Sequence, residues 1–598
     1  MHQRALVLAF GLLLAALIAT SSPQRVGDAH EYLAMAMNMA RFRAPALAPA
    51  DLARIGAELG RRHFSGVPLT THRELRDAAG HQDFFHFWFY SALAVPGIWV
   101  ARAVGAHPNY AFVALNSLLF LGALWVVSKR MAWWLAAALF CSPVLWWIDK
   151  SHTEVFTFSL LAIAFALLRD APWWSMVALG AASTQNPPIA AVLVATGIAA
   201  GMGREGATRD SRFRAGAAAA TALALLHPVY YGWRWGLATP QLIKGTLARW
   251  PTIQEWGAVL WDPNLGLAFG APLLVCTIVA AAVAVAVVTR LRLADSGAWI
   301  GLTAAAVFLL SFAQSTNINS GATPGMSRYG VWLIPLAIPI LQQAGVVVPA
   351  RRLRWLAPVA LASCLWCAVA FQPRLPERCG TPSRIASIIW ARWPSIDNPL
   401  AEVFVERLSF AEPGLAPIAT PGCTKVLLID GKWPVPCRPV PAPPWCATAG
   451  ALCYANRDGP GYLFVRAADP AGYPFERRRT WVWDASFTPG IERILQHVDW
   501  RTMRLVAPGE PGAMLSYAEN VSWTYGIENG RDLLLYVRQP RVGATLTLAL
   551  PGSMTGALFD AETGEQIEAL RVAGRPSEQA TVAIPPRRAV AVALNSER

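Results

Sequence analysis

Long apolar segments separated by short polar connections dominate the first 371 residues of the chain. Hydropathy places about eleven of these segments, and each predicts a helix. They lie at about 4–21, 109–128, 131–148, 153–169, 172–186, 187–202, 214–231, 264–289, 297–315, 329–346 and 354–371. Several are shorter than the roughly 20 residues of a standard span, so 172–202 also fits one bent or re-entrant element. The pattern predicts a multi-pass α-helical membrane protein.

One further apolar stretch decides the orientation of all later segments. Residues 84–105 read FFHFWFYSALAVPGIWVARAVG and include His86, Pro96 and Arg102. If this stretch lies in the outer interface and the N-terminus is cytoplasmic, every cytoplasmic connection carries basic residues. These connections are KR at 129–130, RD at 169–170, GREGATRDSRFR at 203–214, RLR at 290–292 and ARRLR at 350–354. Because cytoplasmic loops are enriched in Lys and Arg, we predict about eleven spans, a cytoplasmic N-terminus and an extracytoplasmic C-terminus.

The composition agrees with a membrane location. Of 598 residues, 55% are hydrophobic and 15% are charged, which is too apolar for an ordinary soluble protein. The 26 Trp residues suit the aromatic belts at membrane interfaces. A net charge of +14 would suggest nucleic acid in a soluble protein, but here the basic residues fall largely in short connections and in the C-terminal third. The sequence has no Gly-rich phosphate loop, zinc-finger spacing or basic-aromatic motif, so no nucleic-acid partner is predicted.

The chain changes character after the last apolar segment. Residues 1–371 form the predicted transmembrane domain, with an extracytoplasmic first loop at 22–108, and residues 372–460 form a Pro- and Cys-rich linker region. Residues 461–598 carry short β-rich runs separated by turn signals, which predict an extracytoplasmic β-sandwich domain. Its last runs, which contain FDAETGE and AVAVAL, resemble the small β-sandwich at the C-terminus of many carbohydrate-active enzymes.

The cysteines follow the same division. Four lie within apolar segments, where they are expected to be inert. Five lie after the last segment, on the side where an oxidising compartment permits disulfides: Cys379, Cys423, Cys437, Cys446 and Cys453. Two bridges and one remaining thiol are expected, with the pairing left open.

Two acids open the predicted helix that follows the first apolar segment. Residues 27–40 read GDAHEYLAMAMNMA, in which Glu31 follows Asp28 by three residues. This spacing predicts a capping box, where the side chains satisfy backbone N–H groups of the first turn. Since a helix N-terminus also attracts anions and phosphates, a role in chemistry is the alternative.

Further polar residues lie at the predicted outer ends of the segments. His81, Asp83 and His86 are spaced H-x-D-x-x-H, a pattern that could bind a divalent metal ion together with Asp28. Glu154 begins a span, where a charge is costly unless it is paired or hydrated. It is therefore either functional or simply favoured by the helix dipole.

Four segments in the first 350 residues match a known family in their order and sidedness. They read GDAHEYLAMAMNMA, HQDFFHFWFYSALAVPG, SPVLWWIDKSHTEVFTFSLLAIAFALL and SRYGVWLIPLAIPIL. They are similar, in turn, to the acidic first-loop motif, the amphipathic segment along the membrane, the acid-bearing second outer loop and the late helix of the GT-C superfamily. This superfamily of membrane glycosyltransferases includes protein mannosyltransferases, oligosaccharyltransferases and the aminoarabinose transferase of lipid A.

The resemblance implies a reaction and a location. An inverting enzyme in the cell (inner) membrane would move a sugar from a polyprenyl-phosphate-type lipid carrier to an envelope glycan, lipid or protein. Asp28 would be the base, with its pKa raised by burial near the interface, and Glu154 a second acid or a metal ligand. A divalent metal ion is the one cofactor that the sequence suggests.

The resemblance also implies a set of substrate-binding residues around these acids. They are Glu31, Tyr32, His86, His152, Gln185, Asn186, Asn317, Asn319, Arg328 and Tyr329. The predicted metal ligands His81 and Asp83 come from the H-x-D-x-x-H spacing and not from the resemblance. Arg328 would bind the carrier phosphate. In the alternative interpretation, Arg328 only extends its side chain to the lipid headgroups at the membrane interface. The Asn and Gln residues would bind sugar hydroxyls, or else only satisfy helix ends.

The sequence departs from the family pattern at two places. Many bacterial members have a Lys-Gly-Pro turn after the fifth span, where this chain has STQNPP with Gln185 and Asn186. A cation for a lipid phosphate is missing there. The second outer loop offers Glu154 and His152 where Asp is commoner.

Two other classes of function stay open. A transporter or flippase of lipid-linked glycans would show charges in the middle of spans and two pseudo-repeated halves. The sequence shows few such charges and no internal repeat. A membrane-anchored glycan-binding or assembly protein would instead work through its β-sandwich.

Overall fold

The computed structural model describes residues 2–23, 25–61, 75–203, 210–242, 253–289, 296–315, 323 and 325–375, strands and isolated positions between 383 and 498, and most of 504–596. Contacts divide the chain into two units. The first is helical and comprises Met1–Ile243, Pro251–Ser315 and Ser320–Arg378. The second is β-rich and comprises Cys379–Arg598 together with the short segments Lys244–Trp250 and Thr316–Asn319. A helical N-terminal part and a β-sheet region at the C-terminus are thereby confirmed.

The described part of the helical unit contains α-helices in every predicted apolar segment. In chain order they are α1 His2–Ala19, α2 Ala29–Met39, α3 Pro49–Arg61, α4 Phe89–Ala103, α5 Asn109–Ser128, α6 Trp133–Phe140, α7 Glu154–Leu167, α8 Pro172–Ser183, α9 Ile189–Gly203, α10 Ser211–Trp235, α11 Ile253–Trp261, α12 Leu267–Gly270, α13 Pro272–Val288, α14 Ser296–Ala313, α15 Gly330–Leu333, α16 Ile338–Val347, α17 Ala350–Leu353 and α18 Ala357–Ala370. Short 3₁₀ turns join α15 to α16 and α17 to α18.

Three helical stretches of the described residues have the length and apolar composition to cross a membrane. They are Asn109–Ser128, Gly330–Val347 and Ala350–Ala370. Shorter apolar helices lie at Gln3–Ala19, Glu154–Leu167, Ile189–Ala199, Pro272–Val288 and Trp299–Ala313. The count of about eleven spans stays a prediction.

Contacts between helix ends show which connections lie together. Gln3, at the start of α1, donates its side-chain amide to the carbonyl of Ser128 at the end of α5 (3.2 Å). Two residues later, Arg130 pairs with Asp170, which follows α7 (3.1 Å between Nε and Oδ2). The start of the chain and the KR and RD connections therefore share one end of the helical unit.

The start of α5 lies at the opposite end, and Asp28 and Glu154 lie there too. Asn109 donates its side-chain amide to the carbonyl of Asp149, in the connection before α7 (2.8 Å). In the same connection, Ser151 donates its hydroxyl to the carbonyl of Ala29 in α2 (3.0 Å). The N-termini of α2 and α7 are therefore brought together at this end.

The apolar stretch 84–105 contains a helix that is short for a span. At 15 residues, α4 is about 22 Å long, against roughly 30 Å for a bilayer core. Its Trp99 indole donates to the carbonyl of Ala40 at the end of α2 (2.8 Å), and the Arg102 guanidinium donates to that of Met37 (3.0 Å). This stretch therefore packs along α2 and holds it in place.

Helix α2 is enclosed by the rest of the unit. Its residues from Ala29 to Asn38 are all buried, and they form one hydrophobic core with residues of α3, α4 and α5. A helix that is apolar around most of its circumference has to be buried on all sides. The first turn of α2 is therefore packed on its sides by other helices of the unit.

The β-rich unit contains thirteen strands among its described residues. They are β1 Lys425–Ile429, β2 Ala451–Asn456, β3 Gly459–Arg466, β4 Thr480–Trp483, β5 Arg504–Val506, β6 Leu515–Glu519, β7 Trp523–Glu528, β8 Asp532–Arg538, β9 Ala544–Ala549, β10 Met554–Asp560, β11 Gln566–Val572, β12 Gln579–Ile584 and β13 Ala589–Ser596. The first four form one sheet in the order β2-β3-β1-β4, and the others form sheets β11-β10-β13-β8-β7-β5 and β12-β9-β6. Strands β1 and β2 lie within the stretch predicted to be a linker.

The two later sheets are antiparallel and share one core. Leu535 of β8 and Val592 of β13, from the larger sheet, pack in the same buried cluster as Leu546 of β9 and Val582 of β12, from the smaller one. Along β9 buried and less buried residues alternate, as expected where one sheet face is covered. The predicted disulfides fall outside the described residues, because none of the five cysteine side chains is among them.

Candidate functional site

Asp28 begins α2 but does not cap it. It occupies the N-cap position without a side-chain hydrogen bond to the first turn. The Glu31 carboxylate also turns away from the helix end and accepts a hydrogen bond from Nδ1 of His86 (2.9 Å). The predicted capping box is therefore wrong, because both carboxylates face basic side chains of other segments.

The Asp28 carboxylate lies among three basic groups. Its Oδ2 is 3.4 Å from Nε2 of His86, 3.7 Å from Nη1 of Arg328 and 3.8 Å from Nε2 of His152. The preceding Gly27 has a φ of +46°, a backbone conformation that suits glycine and directs the chain into α2. We call Asp28, Glu31, His86, His152, Glu154 and Arg328 the Asp28 cluster.

Glu154 holds the other half of the Asp28 cluster together. It accepts a hydrogen bond from Nδ1 of His152, and its Oε1 lies 3.7 Å from Nε of Arg328. Nη1 of Arg328 is in turn 3.1 Å from Nε2 of His152. The cluster thus contains three carboxylates and three basic groups, from α2, residue 86, the 148–154 connection and the residues before α15.

Accessibility separates the three carboxylates. The side chain of Asp28 is 34% exposed, whereas those of Glu31 and Glu154 are each 1% exposed. Asp28 is therefore the carboxylate of the cluster that an incoming molecule can touch. The two buried acids orient the basic groups.

The charges of the cluster set the pKa of its members. Burial raises the pKa of Asp28, but His86, His152 and Arg328 outweigh it and hold that pKa well below its ordinary value of 3.8. The expectation of a raised pKa for Asp28 is wrong, because three basic neighbours stabilise its charged form. Burial lowers the pKa of His86, yet Asp28 and Glu31 raise it to about 9. Asp28 is thus an anion and His86 a cation at neutral pH.

The aromatic ring of Tyr32 packs against the two histidines of the cluster. The Tyr32 ring lies 5.1 Å from that of His86 and 5.6 Å from that of His152, measured between centroids. It also meets Tyr90, whose hydroxyl donates to Oδ1 of Asn116 (2.8 Å). Asn116 also donates its side-chain amide to the carbonyl of Lys150. Tyr32 therefore packs against both histidines of the Asp28 cluster, and its substrate-binding role stays a prediction.

Two supporting asparagines were not predicted from the sequence. Asn109 and Asn116 lie on α5 and bond to the backbone of the connection that carries His152 and Glu154. A polar amide in the middle of an otherwise apolar segment was the signal for Asn116, because such a group is kept only where it has partners.

The predicted metal ligands His81 and Asp83 belong to a different arrangement. Asp83 accepts hydrogen bonds from Tyr230 (2.6 Å), from the guanidinium of Arg234 (2.8 and 3.0 Å) and from the Trp235 indole (3.1 Å). His81 pairs with Asp77. This prediction is wrong, because the charge and lone pairs of Asp83 are taken up by the end of α10.

Among the described residues, one group of acids and histidines has a spacing that suits a metal ion. It consists of Asp28, Glu31 and His86, with ligand atoms within 4.8 Å of one another. The ring of His86 does not fit a metal as it is held, since Nδ1 faces Glu31 and Nε2 faces Asp28. A protonated His86 ring in this position pairs with both carboxylates and offers no lone pair to a metal ion. We therefore derive no metal-dependent step.

Of the five remaining predicted residues, two make side-chain contacts near the cluster, one is buried without a hydrogen-bond partner among the described residues, and two lie outside those residues. Tyr329 stacks on Phe312, with centroids 4.7 Å apart, beside Arg328. Asn186 donates to the hydroxyl of Thr157 (2.8 Å), one turn along α7 from Glu154. The other three are Gln185, whose side-chain amide is buried with no hydrogen-bond partner among the described residues, and Asn317 and Asn319, which lie outside them.

The chain was also compared with known proteins. No family model matches it, and neither a curated protein nor a solved structure gives a significant match.

Proposed function

We propose that the chain is an integral-membrane glycosyltransferase of the GT-C type. It would move a sugar from a polyprenyl-phosphate-type lipid carrier to a cell-envelope glycan, lipid or protein on the outer face of the inner membrane. The observation that carries the proposal is an accessible carboxylate, Asp28, held between the cations His86 and Arg328.

The placement of helix ends supports the proposed orientation. The start of α1 lies with the KR and RD connections, and the Asp28 cluster lies with the opposite ends of α5 and α7. Basic connections face the cytoplasm. The cluster would then lie at the outer boundary of the membrane, where a lipid phosphate resides. The proposed protein has about eleven spans and an extracytoplasmic β-rich domain.

The acceptor hydroxyl meets Asp28 in the proposed reaction. The hydroxyl oxygen attacks the anomeric carbon from the face opposite to the phosphate, so the new C–O bond forms as the bond to the phosphate oxygen breaks. The hydroxyl proton passes to the Asp28 carboxylate. A carboxylate with a low pKa is a weak base, so we expect it to take the proton late, when bond formation has made the hydroxyl acidic.

The departing carrier phosphate needs positive charge. Arg328, with a side chain 13% exposed, and the His86 imidazolium both lie within 4 Å of the Asp28 carboxylate. Fixed cations beside a developing phosphate charge stabilise the transition state because they need no reorganisation. They supply the cation that the STQNPP connection lacks. Glu154 acts as a positioning residue that orients His152 and Arg328.

The decisive variant is Asp28→Asn, which removes the charge and keeps the shape. Transfer should fall by about 10² to 10⁴-fold, the usual contribution of a positioned acid or base. Envelope glycans of cells that carry the variant are analysed at matched protein level. Asp51→Asn is the matched control, because Asp51 lies in the first turn of α3 in the same loop and pairs with Arg54 of its own helix.

An unchanged glycan profile for Asp28→Asn would overturn the enzyme proposal. If, in addition, deletion of residues 380–598 abolished function, the binding or assembly alternative would be favoured.

A further inference from the structure

Two buried polar side chains near the Asp28 cluster have no hydrogen-bond partner for part of their polar atoms. In Gln185, at the end of α8, both the amide nitrogen and the amide oxygen are buried and unpaired among the described residues. In His227 of α10, which is 2% exposed, the same holds for Nε2. Burying such groups without a partner is costly, so a site of this kind is expected to have an occupant. We call Gln185 and His227 the polar pair.

One hydrogen bond fixes what His227 can offer. Its Nδ1 lies 3.0 Å from the carbonyl oxygen of Thr184, the residue before Gln185. A backbone carbonyl only accepts, so Nδ1 carries the proton. In a neutral imidazole Nε2 is then an acceptor, and it needs a ligand that donates. Gln185 adds one donor and one acceptor.

The polar pair lies beside the proposed reaction centre. Asn186 is bonded to Thr157, one turn along α7 from Glu154. On the other side, the ring of Phe87 lies 5.1 Å from that of His227, and Phe87 follows His86 in the chain. The polar pair is therefore flanked by the two segments that carry Glu154 and His86.

The chemistry of these atoms selects a class of ligand. Hydroxyl groups both donate and accept, so the hydroxyls of a sugar match the acceptor Nε2 of His227 and also the donor and acceptor of the Gln185 amide. The rings of Phe87 and Tyr231 border the imidazole at 5.1 and 4.8 Å, and the nearby His86 is a cation. A positively charged sugar would be repelled by the His86 cation and would lose hydration against the rings of Phe87 and Tyr231.

We propose that Gln185 and His227 form a subsite for an uncharged, hydroxyl-bearing sugar ring. The proposal rests on the proposed glycosyltransferase function and narrows its substrate to neutral sugars. The ring can belong to the lipid-linked donor or to the acceptor.

The experiment uses the full chain in lipid nanodiscs. Binding is measured for a short-chain polyprenyl phosphate that carries glucose, galactose or mannose, for the same lipid without a sugar, and for the same lipid with an amino sugar. Methyl hexosides serve as probes of the acceptor side, through their KM as acceptors in the transfer assay.

The variants separate ligand binding from folding. His227→Asn keeps an amide nitrogen at the position of Nδ1, hence the bond to Thr184, and removes Nε2. Gln185→Met keeps the length of the side chain without its polar atoms. Ser183→Ala is the matched control, because the Ser183 hydroxyl already donates to the carbonyl of Gly180 in its own helix (2.7 Å).

We expect His227→Asn and Gln185→Met each to weaken binding of the best hexosyl lipid about tenfold, the effect of one lost hydrogen bond. The sugar-free lipid should bind all variants equally, and the amino-sugar lipid should bind the unchanged protein more weakly than the hexosyl lipid. This result assigns the subsite to the donor. A rise only in the KM of the methyl hexosides would support the subsite and assign it to the acceptor.

Equal binding and equal KM in all variants would overturn the subsite and indicate that water alone satisfies the polar pair. So would preferential binding of the amino-sugar lipid. If the unchanged protein bound neither the hexosyl lipids nor the amino-sugar lipid, the proposed function itself would be wrong, and the subsite proposal with it.

Discussion

At the scale of single residues, the Asp28 cluster depends on charge neutralisation within a small volume. Three carboxylates lie among three basic groups, yet only Asp28 is accessible to a substantial degree. Buried acids such as Glu31 and Glu154 are tolerated because each has a basic partner. An anion and two cations are thus presented at one place, which suits a reaction that removes a proton and releases a phosphate.

The protonation of His86 gives the cluster a defined response to pH. The pKa of His86 is raised from 6.5 to about 9, so its charge is complete below 6.5 and is lost as the pH rises through about 9. The folding stability that this charge contributes through Asp28 and Glu31 is complete below about 6.5 and is lost as the pH rises from there to about 9. We therefore expect the kcat/KM of transfer to fall as the pH rises through about 9, and His86→Gln to lower it and to remove this alkaline limb.

The measurement is a pH profile of transfer by the purified chain in nanodiscs. The low pKa of Asp28 predicts no acid limb above its ordinary value of 3.8. His81→Gln is the matched control, since His81 pairs with Asp77 outside the cluster. An alkaline limb that persists in His86→Gln would assign the titration to another group.

At the scale of elements, the site depends on how the first loop is fixed to the helices. Asp83 joins this loop to Tyr230, Arg234 and Trp235 at the end of α10. His86 lies three residues further along the chain. The ion pair between Asp83 and Arg234 therefore fixes the position of the segment that carries His86, and its role is structural.

Removal of this ion pair should affect stability more than chemistry. Asp83→Ala leaves Arg234 without its buried partner, and we expect unfolding to become easier by roughly 3 kcal/mol. Asp77→Ala removes the more exposed contact to the same Arg234, together with the hydrogen bonds that Asp77 accepts from the backbone of Ala79 and His81, and we expect a smaller loss of stability. Thermal unfolding in detergent, followed by fluorescence, provides the comparison. A dependence of the Asp83→Ala phenotype on added divalent metal would instead restore the metal-ligand interpretation.

At the scale of the whole molecule, the helices and the membership of the Asp28 cluster could be predicted from the sequence, whereas which side chain pairs with which could not. Apolar runs mark helices because burial or membrane insertion demands them. The spacing of Asp28 and Glu31 fits a capping box as well as it fits a cluster of charged groups. The contacts with His86, His152 and Arg328, which come from distant segments, decide for the cluster. The same holds for H-x-D-x-x-H, where Arg234, about 150 residues away, takes Asp83. Long-range contacts of this kind leave no local pattern in one sequence.

The orientation of the whole chain is the condition on which the proposed function depends, and it can be measured directly. Arg25 lies three residues before Asp28, and Lys129 lies in the KR connection beside the start of the chain. Arg25→Cys and Lys129→Cys are each treated with a membrane-impermeant maleimide on intact spheroplasts, with the unsubstituted chain as background. We expect rapid labelling at residue 25 and labelling at residue 129 only after the membrane is permeabilised. The reverse result would place Asp28 in the cytoplasm, away from the face where a flipped lipid-linked sugar and an envelope acceptor meet.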